Sequence, residues 1–462
     1  MISYSFAKQH HILYIHNTIY MTDKTKPDSL NELNRYGIIA TISLISDDEF
    51  QAKLAEQYGQ GNVDKINDEI NDNIDLSELV QEIPQDQDLL EQENDAPIIK
   101  MINTLITQAI RENASDIHIE LFEKKSLVRF RIDGILKDVI SIPQGLHAAI
   151  VSRLKIMSDL DIAEKRLPQD GRIGLKIAGK NIDVRLSSLP TAYGERIVMR
   201  LLERNLNRLN LSTLGMNHTT LNNFNKLLNL PHGIVLVTGP TGSGKTTSLY
   251  AGLLNIDAKK INIMTVEDPI EYELPNINQT QVNSKIELSF ARVLRSILRQ
   301  DPDVIMIGEI RDVETAQIAI QAALTGHLVL ATLHTNTATS AITRLIDMGI
   351  EPFLLSSTIC GVLAQRLVRK LCDNCKQINA DGVWRAVGCS SCNNTGYLGR
   401  TGIHELLMVN DIMRSKIHNN ENELDIEQYA QSEGMLLMSE DAKRLIMSGI
   451  TSVEEVARVC KD

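Results

Sequence analysis

Eight consecutive residues, Gly239-Pro240-Thr241-Gly242-Ser243-Gly244-Lys245-Thr246, restrict what this chain can fold into more than any other feature. They fit the pattern G-x4-G-K-[ST], follow the apolar run Ile234-Val235-Leu236-Val237 and precede a helical pattern. Those two flanks separate a phosphate-binding loop from an ordinary glycine-rich turn. The glycines let successive backbone N–H groups face phosphate oxygens at a helix amino terminus, Lys245 neutralises the β and γ phosphates, and the Thr246 hydroxyl can ligate magnesium. Pro240 is compatible, because the position after the first glycine need not donate. Thr247 completes the loop, and the ligand expected here is ATP.

Three more short apolar runs follow, Ile261-Asn262-Ile263-Met264, Val304-Ile305-Met306-Ile307 and Leu328-Val329-Leu330, with helical patterns between them. Continuous apolar runs alternating with helices predict strands buried on both faces, hence a parallel sheet that binds ligands at the strands' carboxyl ends. Acidic residues stand at two such ends. Glu309 follows Gly308 where many phosphate-loop enzymes carry Asp and then Glu, and Glu267-Asp268-Pro269-Ile270-Glu271 ends the preceding strand. The expected division of labour has Glu267 orienting or deprotonating the attacking water and Glu309 holding magnesium, with the reverse assignment open. His327 and His334 flank the fourth run. Seven residues apart, they fall on opposite faces of a regular strand, and a γ-phosphate-sensing role is expected for each.

Four of the six cysteines fall in one window, Cys372-x2-Cys375-x13-Cys389-x2-Cys392. Paired C-x-x-C turns can bring four thiolates around zinc, and Asn393, Asn394 and Gly396 fit such a turn. A redox pair is the alternative. Cys360 and Cys460 read as small hydrophobes.

With 462 residues the chain has room for about three domains at roughly 150 residues each, and 43% hydrophobic with 23% charged residues suits a globular protein. No apolar stretch reaches the length of a membrane span, and the amino terminus lacks a secretory pattern, so the cytoplasm is the expected compartment. The net charge of -12 comes mostly from residues 62 to 95, which hold twelve acids against one base, Lys65. That segment is too polar to bury a core and reads as a linker. The predicted division is 1–60, a small amino-terminal domain; 61–95, the acidic linker; 96–205, an α/β domain opened by a helix from Pro97; 206–371, the nucleotide domain; 372–404, the cysteine module; and 405–462, mostly helical. Asp133-Gly134 between alternating runs predicts a hairpin, a helical stretch is expected from Asp47 to Tyr58, and Ser452-x-x-Glu455 reads as a capping box. Taken alone, Arg185 and Arg200, on strand-like segments of the second domain, read as surface charges.

Together these motifs resemble those of the secretion ATPases, the superfamily of type II secretion, type IV pilus and type IV secretion motors. The loop at 239–247 is similar to their Walker A element, Thr265 to Glu271 to the Asp box, Gly308 to Asp312 to Walker B, and Thr325 to Asn336 to the His box. Ala114-Ser115-Asp116-Ile117-His118-Ile119-Glu120, Asp161 to Arg172 and Asp347 to Phe353 resemble more specifically the type II secretion ATPase, component E of the general secretory pathway. The resemblance implies a RecA-like nucleotide domain preceded by a PAS-like domain, with Arg185 and Arg200 of the latter reaching the phosphates, which reverses their reading as surface charges. It also implies a homo-hexamer that drives pseudopilus assembly for protein export, a zinc module with a spacer shorter than usual, and an amino-terminal domain, marked by Phe6-Ala7-Lys8, that docks on inner-membrane component L. Platform component F and acidic phospholipid are further expected partners. A type IV pilus extension motor is the alternative within the superfamily. A nucleic-acid translocase is the alternative outside it, and no dense basic run interleaved with aromatics supports one, so no nucleic-acid partner is expected.

Overall fold

The alternating runs beside Asp133-Gly134 belong to an antiparallel sheet, and the continuous apolar runs beyond residue 230 build a parallel one. The computed structural model describes residues 12–15, 18–23, 25, 41–46, 49–50, 53, 96–177, 180–203 and 209–460. The chain divides into two units, Met1–Arg204 and Asn205–Asp462. Phe6-Ala7-Lys8, most of the helix expected from Asp47 to Tyr58 and the acidic segment up to Asp95 lie outside the described residues.

In the first unit β1 (Ile12–Ile15) pairs antiparallel with β2 (Thr18–Met21), which runs parallel to β3 (Thr41–Leu44). Helix α1 (Ala96–Arg111) buries Ile98, Met101, Ile102, Leu105, Ile106 and Ala109, an apolar stripe at helical spacing. There follow β4 (Ala114–Leu121), β5 (Ser126–Ile132), β6 (Ile135–Ile142), α2 (Gln144–Met157), β7 (Gln169–Ile177), β8 (Lys180–Thr191) and β9 (Gly194–Glu203). The six strands order as β6-β5-β4-β9-β8-β7, all antiparallel. Asp133 and Gly134 both take positive φ, at 47° and 84°, the conformation a two-residue hairpin requires. One face of the sheet packs Ile117, Ile119, Val128, Phe130, Val184, Leu186, Ile197 and Met199 into a common core with α1 and α2. Period two puts Asp116, His118, Glu120, Arg131, Arg185 and Arg200 on the other face.

The second unit opens with α3 (His218–Leu228) and β10 (Gly233–Thr238), then α4 (Lys245–Leu254), β11 (Ile263–Glu267), β12 (Asn278–Gln281), α5 (Phe290–Ile297), β13 (Val304–Ile307), α6 (Val313–Leu324) and β14 (Leu328–Leu333). Helices α7 (Ala338–Asp347) and α8 (Pro352–Thr358) lead into the long β15 (Ile359–Leu371). The short β16 (Gln377–Ile378) and β17 (Trp384–Arg385), the long β18 (Tyr397–Met408) and α9 (Asp411–His418), α10 (Glu423–Ser432), α11 (Met438–Met447) and α12 (Val453–Val459) complete it. The seven-stranded sheet runs β12-β11-β13-β14-β10-β15-β18, parallel except for β18. Along β10, Ile234 and Leu236 belong to the core on one face and Val235 and Val237 to the core on the other. That two-sided burial is why these strands lack polar alternation. Because β10, β11, β13 and β14 are parallel, the Gly239 loop, Glu267, Glu309 and His334 all emerge at one edge of the sheet.

One expectation needs correction here. The capping box forms only in half: the Ser452 hydroxyl accepts the Glu455 N–H at 3.3 Å, but the Glu455 carboxylate goes to Arg369 and Arg458 instead. Beyond Met408, where β18 ends, the four helices α9 to α12 make up most of residues 411–459.

Candidate active site and metal centre

The loop after β10 turns on three glycines. Gly239, Gly242 and Gly244 have φ of 147°, 80° and 87°, and a Cβ at Gly239 would sit 2.4 Å from the Gln365 carbonyl. Only glycine fits there. With Gly244 left-handed, α4 starts abruptly at Lys245, which leaves its first N–H groups aimed into the loop without a side-chain cap. Lys245 is buried, and its ammonium donates to the carbonyls of Gly239 at 2.7 Å and Pro240 at 3.2 Å and lies 3.4 Å from His334 Nδ1. Burial draws its pKa down to about 8, against an opposing pull from Glu309. Thr246 and Thr247 follow in the first turn of α4, half-buried, and among the described residues the Thr246 hydroxyl meets no hydrogen-bond partner. An orphan hydroxyl beside a lysine at a helix amino terminus suits a magnesium-bound triphosphate.

The loop is braced from a strand that motif reading did not single out. Gln365, buried on β15, donates to the Ser243 carbonyl at 2.6 Å and accepts from the Ser248 hydroxyl at 2.7 Å. The available signal was a lone amide directly after the apolar run from Ile359 to Ala364. On the other side of β10, Thr238 and Thr335 join their hydroxyls at 2.7 Å, which fixes the His334 loop to the strand that ends in Gly239.

The two acidic clusters differ in surroundings. Glu267 is buried and accepts from Tyr250, from Thr265 at 2.5 Å and from Gln279 at 3.0 Å. Burial, reinforced by this carboxylate, raises the pKa of the Tyr250 phenol. Glu309 instead meets a guanidinium and an imidazole: Arg311 pairs with it, and His334 Nε2 lies 3.3 Å away. Arg311 also reaches toward Asp268 at 3.9 Å. Gly308 has a steric cause, because a Cβ there would lie 3.3 Å from the Glu267 Cα and from the Val266 carbonyl.

His334 thus touches both Lys245 and Glu309. His327 does not join them. It lies at the amino end of β14, roughly 23 Å along the strand from His334, where its ring bonds the Ala322 carbonyl at 2.8 Å and the Thr325 hydroxyl at 3.1 Å, closing the end of α6. The expectation that both histidines sense phosphate therefore fails for His327 within one chain, because a strand separates it from the loop.

In the first unit Arg185 and Arg200 stand directly opposite each other on β8 and β9. They share the face turned away from the core.

The four cysteines converge. All four Sγ atoms lie within 4.8 Å of one another, with Cys372–Cys389 and Cys375–Cys392 at 3.8 Å and Cys389–Cys392 at 3.7 Å. Four thiolates about 2.3 Å from a central zinc stand about 3.8 Å apart, whereas a disulfide needs about 2.05 Å. Asn393, Asn394 and Gly396 all take positive φ in the second turn, and the N–H groups of Gly388 and Gly396 donate to Cys375 and Cys392. This donor set fits a metal ion. The module is tied to the carboxyl-terminal helices by Leu371 N–H to Ile450 at 2.8 Å, Lys376 to Gly449 at 3.2 Å and Tyr397 to Ser452 at 2.7 Å.

The family description "Type II/IV secretion system protein" matches residues 91–458, and that of a domain of GSPII protein E matches residues 1–58. The chain belongs to the type II/IV secretion system protein family. It is 55% identical to the type II secretion system protein HxcR of Pseudomonas aeruginosa over 96% of this chain and 95% of that one. It is 52% identical to the type II secretion system ATPase E of Vibrio cholerae over 90% of this chain and 87% of that one. A crystal structure of the pilus retraction motor PilT with bound ADP matches with a TM-score of 0.55 and 28% identity, covering 77% of this chain and 95% of that chain. The second unit accordingly has the RecA-like nucleotide-binding fold, and the chain is an ATP-hydrolysing secretion motor of the component E type.

Proposed function

We propose that the chain works as a homo-hexamer on the cytoplasmic face of the inner membrane, where ATP turnover drives pseudopilus assembly through components L and F, with acidic phospholipid as a further contact. The observation that carries the catalytic reading is the cluster of Lys245, His334 and Glu309 at the mouth of the Gly239 loop. ATP phosphates would take the loop N–H groups, and the Lys245 ammonium would leave the Gly239 and Pro240 carbonyls to meet them. Thr246 would hold magnesium, which when bound would supply charge neutralisation at the phosphates. Glu309 lies within reach of the groups that sense the γ phosphate and is only partly enclosed, which favours it as the residue that orients the attacking water. Glu267, whose oxygens already serve three neutral donors, then acts as a fixed anchor that aligns the ends of β11 and β13. This reverses the division expected from the motifs.

His334 would report the γ phosphate to the Thr335 loop. Arg185 and Arg200 of the six-stranded, PAS-like domain would add positive charge to the phosphates, and zinc in the cysteine module would hold β15 and β18 against α12. The test is ATPase activity of the full chain with and without the component L cytoplasmic domain and acidic vesicles, with Lys245→Ala as the blank. Strong stimulation by both additions is expected. Activity that ignores both and rises with DNA would replace the secretion reading with a translocase.

A further inference from the structure

The polar face of the six-stranded sheet carries an ordered arrangement of charge around Arg185 and Arg200. Strand register sets Arg131, Asp116, Arg200, Arg185 and Arg172 in one row across β5, β4, β9, β8 and β7. The only acid in the row, Asp116, is 5% exposed. Its Oδ1 accepts from Arg200 Nε at 3.0 Å, and its Oδ2 accepts from the Ser115 hydroxyl at 2.8 Å and faces Arg131 Nε at 3.7 Å.

Four residues along the same strand, Glu120 offers a contrast. Arg129 meets Glu120 through both Nε, at 2.7 Å, and Nη2, at 2.5 Å, and its side chain is 27% exposed. That guanidinium is consumed by its partner. Arg200 is held through Nε alone, its side chain is 58% exposed, and its two terminal nitrogens bond no described residue. An arginine carries about 2 kcal/mol of rotamer entropy, so fixing the inner nitrogen while leaving the outer fork open prepares the side chain for a bidentate oxyanion.

We propose that Asp116 is a positioning residue for Arg200, holding its guanidinium ready for a nucleotide phosphate. The proposal rests on the reading that Arg200 meets the nucleotide. It gives a carboxylate a use on a face that would attract phosphate more strongly without it: the gain is orientation rather than charge. A lysine at 200 would lack this arrangement, since one ammonium cannot pair with Asp116 and span two phosphate oxygens as a fork does.

The experiment is a double-mutant cycle on ATPase kcat/KM of the full chain, using Asp116→Asn, Arg200→Ala and the combination, with Arg200→Lys alongside. Asp116→Asn is expected to lower kcat/KM about tenfold, the size of one charge-assisted contact, to cost nothing further once Arg200 is Ala, and to leave the melting temperature near that of the parent. Arg200→Lys should lose nearly as much as Arg200→Ala. Losses that multiply in the double variant, or an Asp116→Asn enzyme with parental kcat/KM beside an impaired Arg200→Ala, would overturn the positioning role alone. Arg200→Ala at parental activity would remove the nucleotide reading and the proposal with it. Should Asp116→Asn fold poorly, an Arg200→Lys enzyme with full activity still refutes the proposal, because a point charge would then suffice.

Discussion

The ends of β11 and β13 each carry a carboxylate to the same edge of the sheet, yet the two sit in opposite chemistry. Glu267 is enclosed by neutral donors from Tyr250, Thr265 and Gln279, and Glu309 faces Arg311 and His334 with Lys245 close by. A carboxylate saturated by hydroxyl and amide groups is held in place and has little left to offer a water. One held by exposed side chains, Arg311 and His334, at a partly open edge can exchange partners when a phosphate arrives. Spacing along the chain does not distinguish these cases, and the surroundings do.

Replacing each carboxylate by its amide breaks the comparison most directly. Glu309→Gln is expected to lower kcat by about 10²- to 10⁴-fold, the usual range for loss of a positioned acid–base group, with KM for ATP changed only a few-fold in steady-state assays. Glu267→Gln is expected to retain kcat within about tenfold and to lose stability, about 1–3 kcal/mol for leaving a buried donor unmatched, read as a lower denaturant midpoint. Tyr250→Phe removes one of the three donors and should cost less, about 1 kcal/mol, with turnover near that of the parent.

The smallest effect concerns protons. Burial places the Lys245 pKa at about 8 in the free chain, and bound phosphates favour its charged form. Nucleotide binding at pH 8 should therefore take up about half a proton, and apparent affinity should fall as pH rises above 8. Calorimetry in buffers of different ionisation enthalpy measures this. Because Glu309 pulls that pKa upward, Glu309→Gln should move the uptake window to lower pH, and Glu267→Gln should leave it in place.

The parts of the site that sequence reading reached are those encoded locally. The phosphate loop needs glycines at fixed offsets after a strand, and the cysteines need two tight turns, so a short window contains the geometry. Gln365 lies 122 residues from its partner Ser243, and the Arg131 to Arg172 row exists only once five strands are in register. Neither leaves a local pattern. Four strands of the parallel sheet, β10, β11, β13 and β14, were legible as apolar runs, whereas β15 was not singled out and edge strand β12, with the sequence Asn278-Gln279-Thr280-Gln281, carries no apolar run to find. His327 shows the converse error. Its neighbourhood in sequence suggested the active edge, and the length of β14 carries it to the other.

The central claim is that Glu309, and not Glu267, acts on the water that attacks ATP. Single-turnover cleavage of γ-labelled ATP by the assembled protein, with Glu309→Gln and Glu267→Gln measured side by side, tests it without interference from product release. The account requires cleavage to be nearly abolished in Glu309→Gln and retained in Glu267→Gln. Fast cleavage by Glu309→Gln beside an inert, folded Glu267→Gln would contradict it.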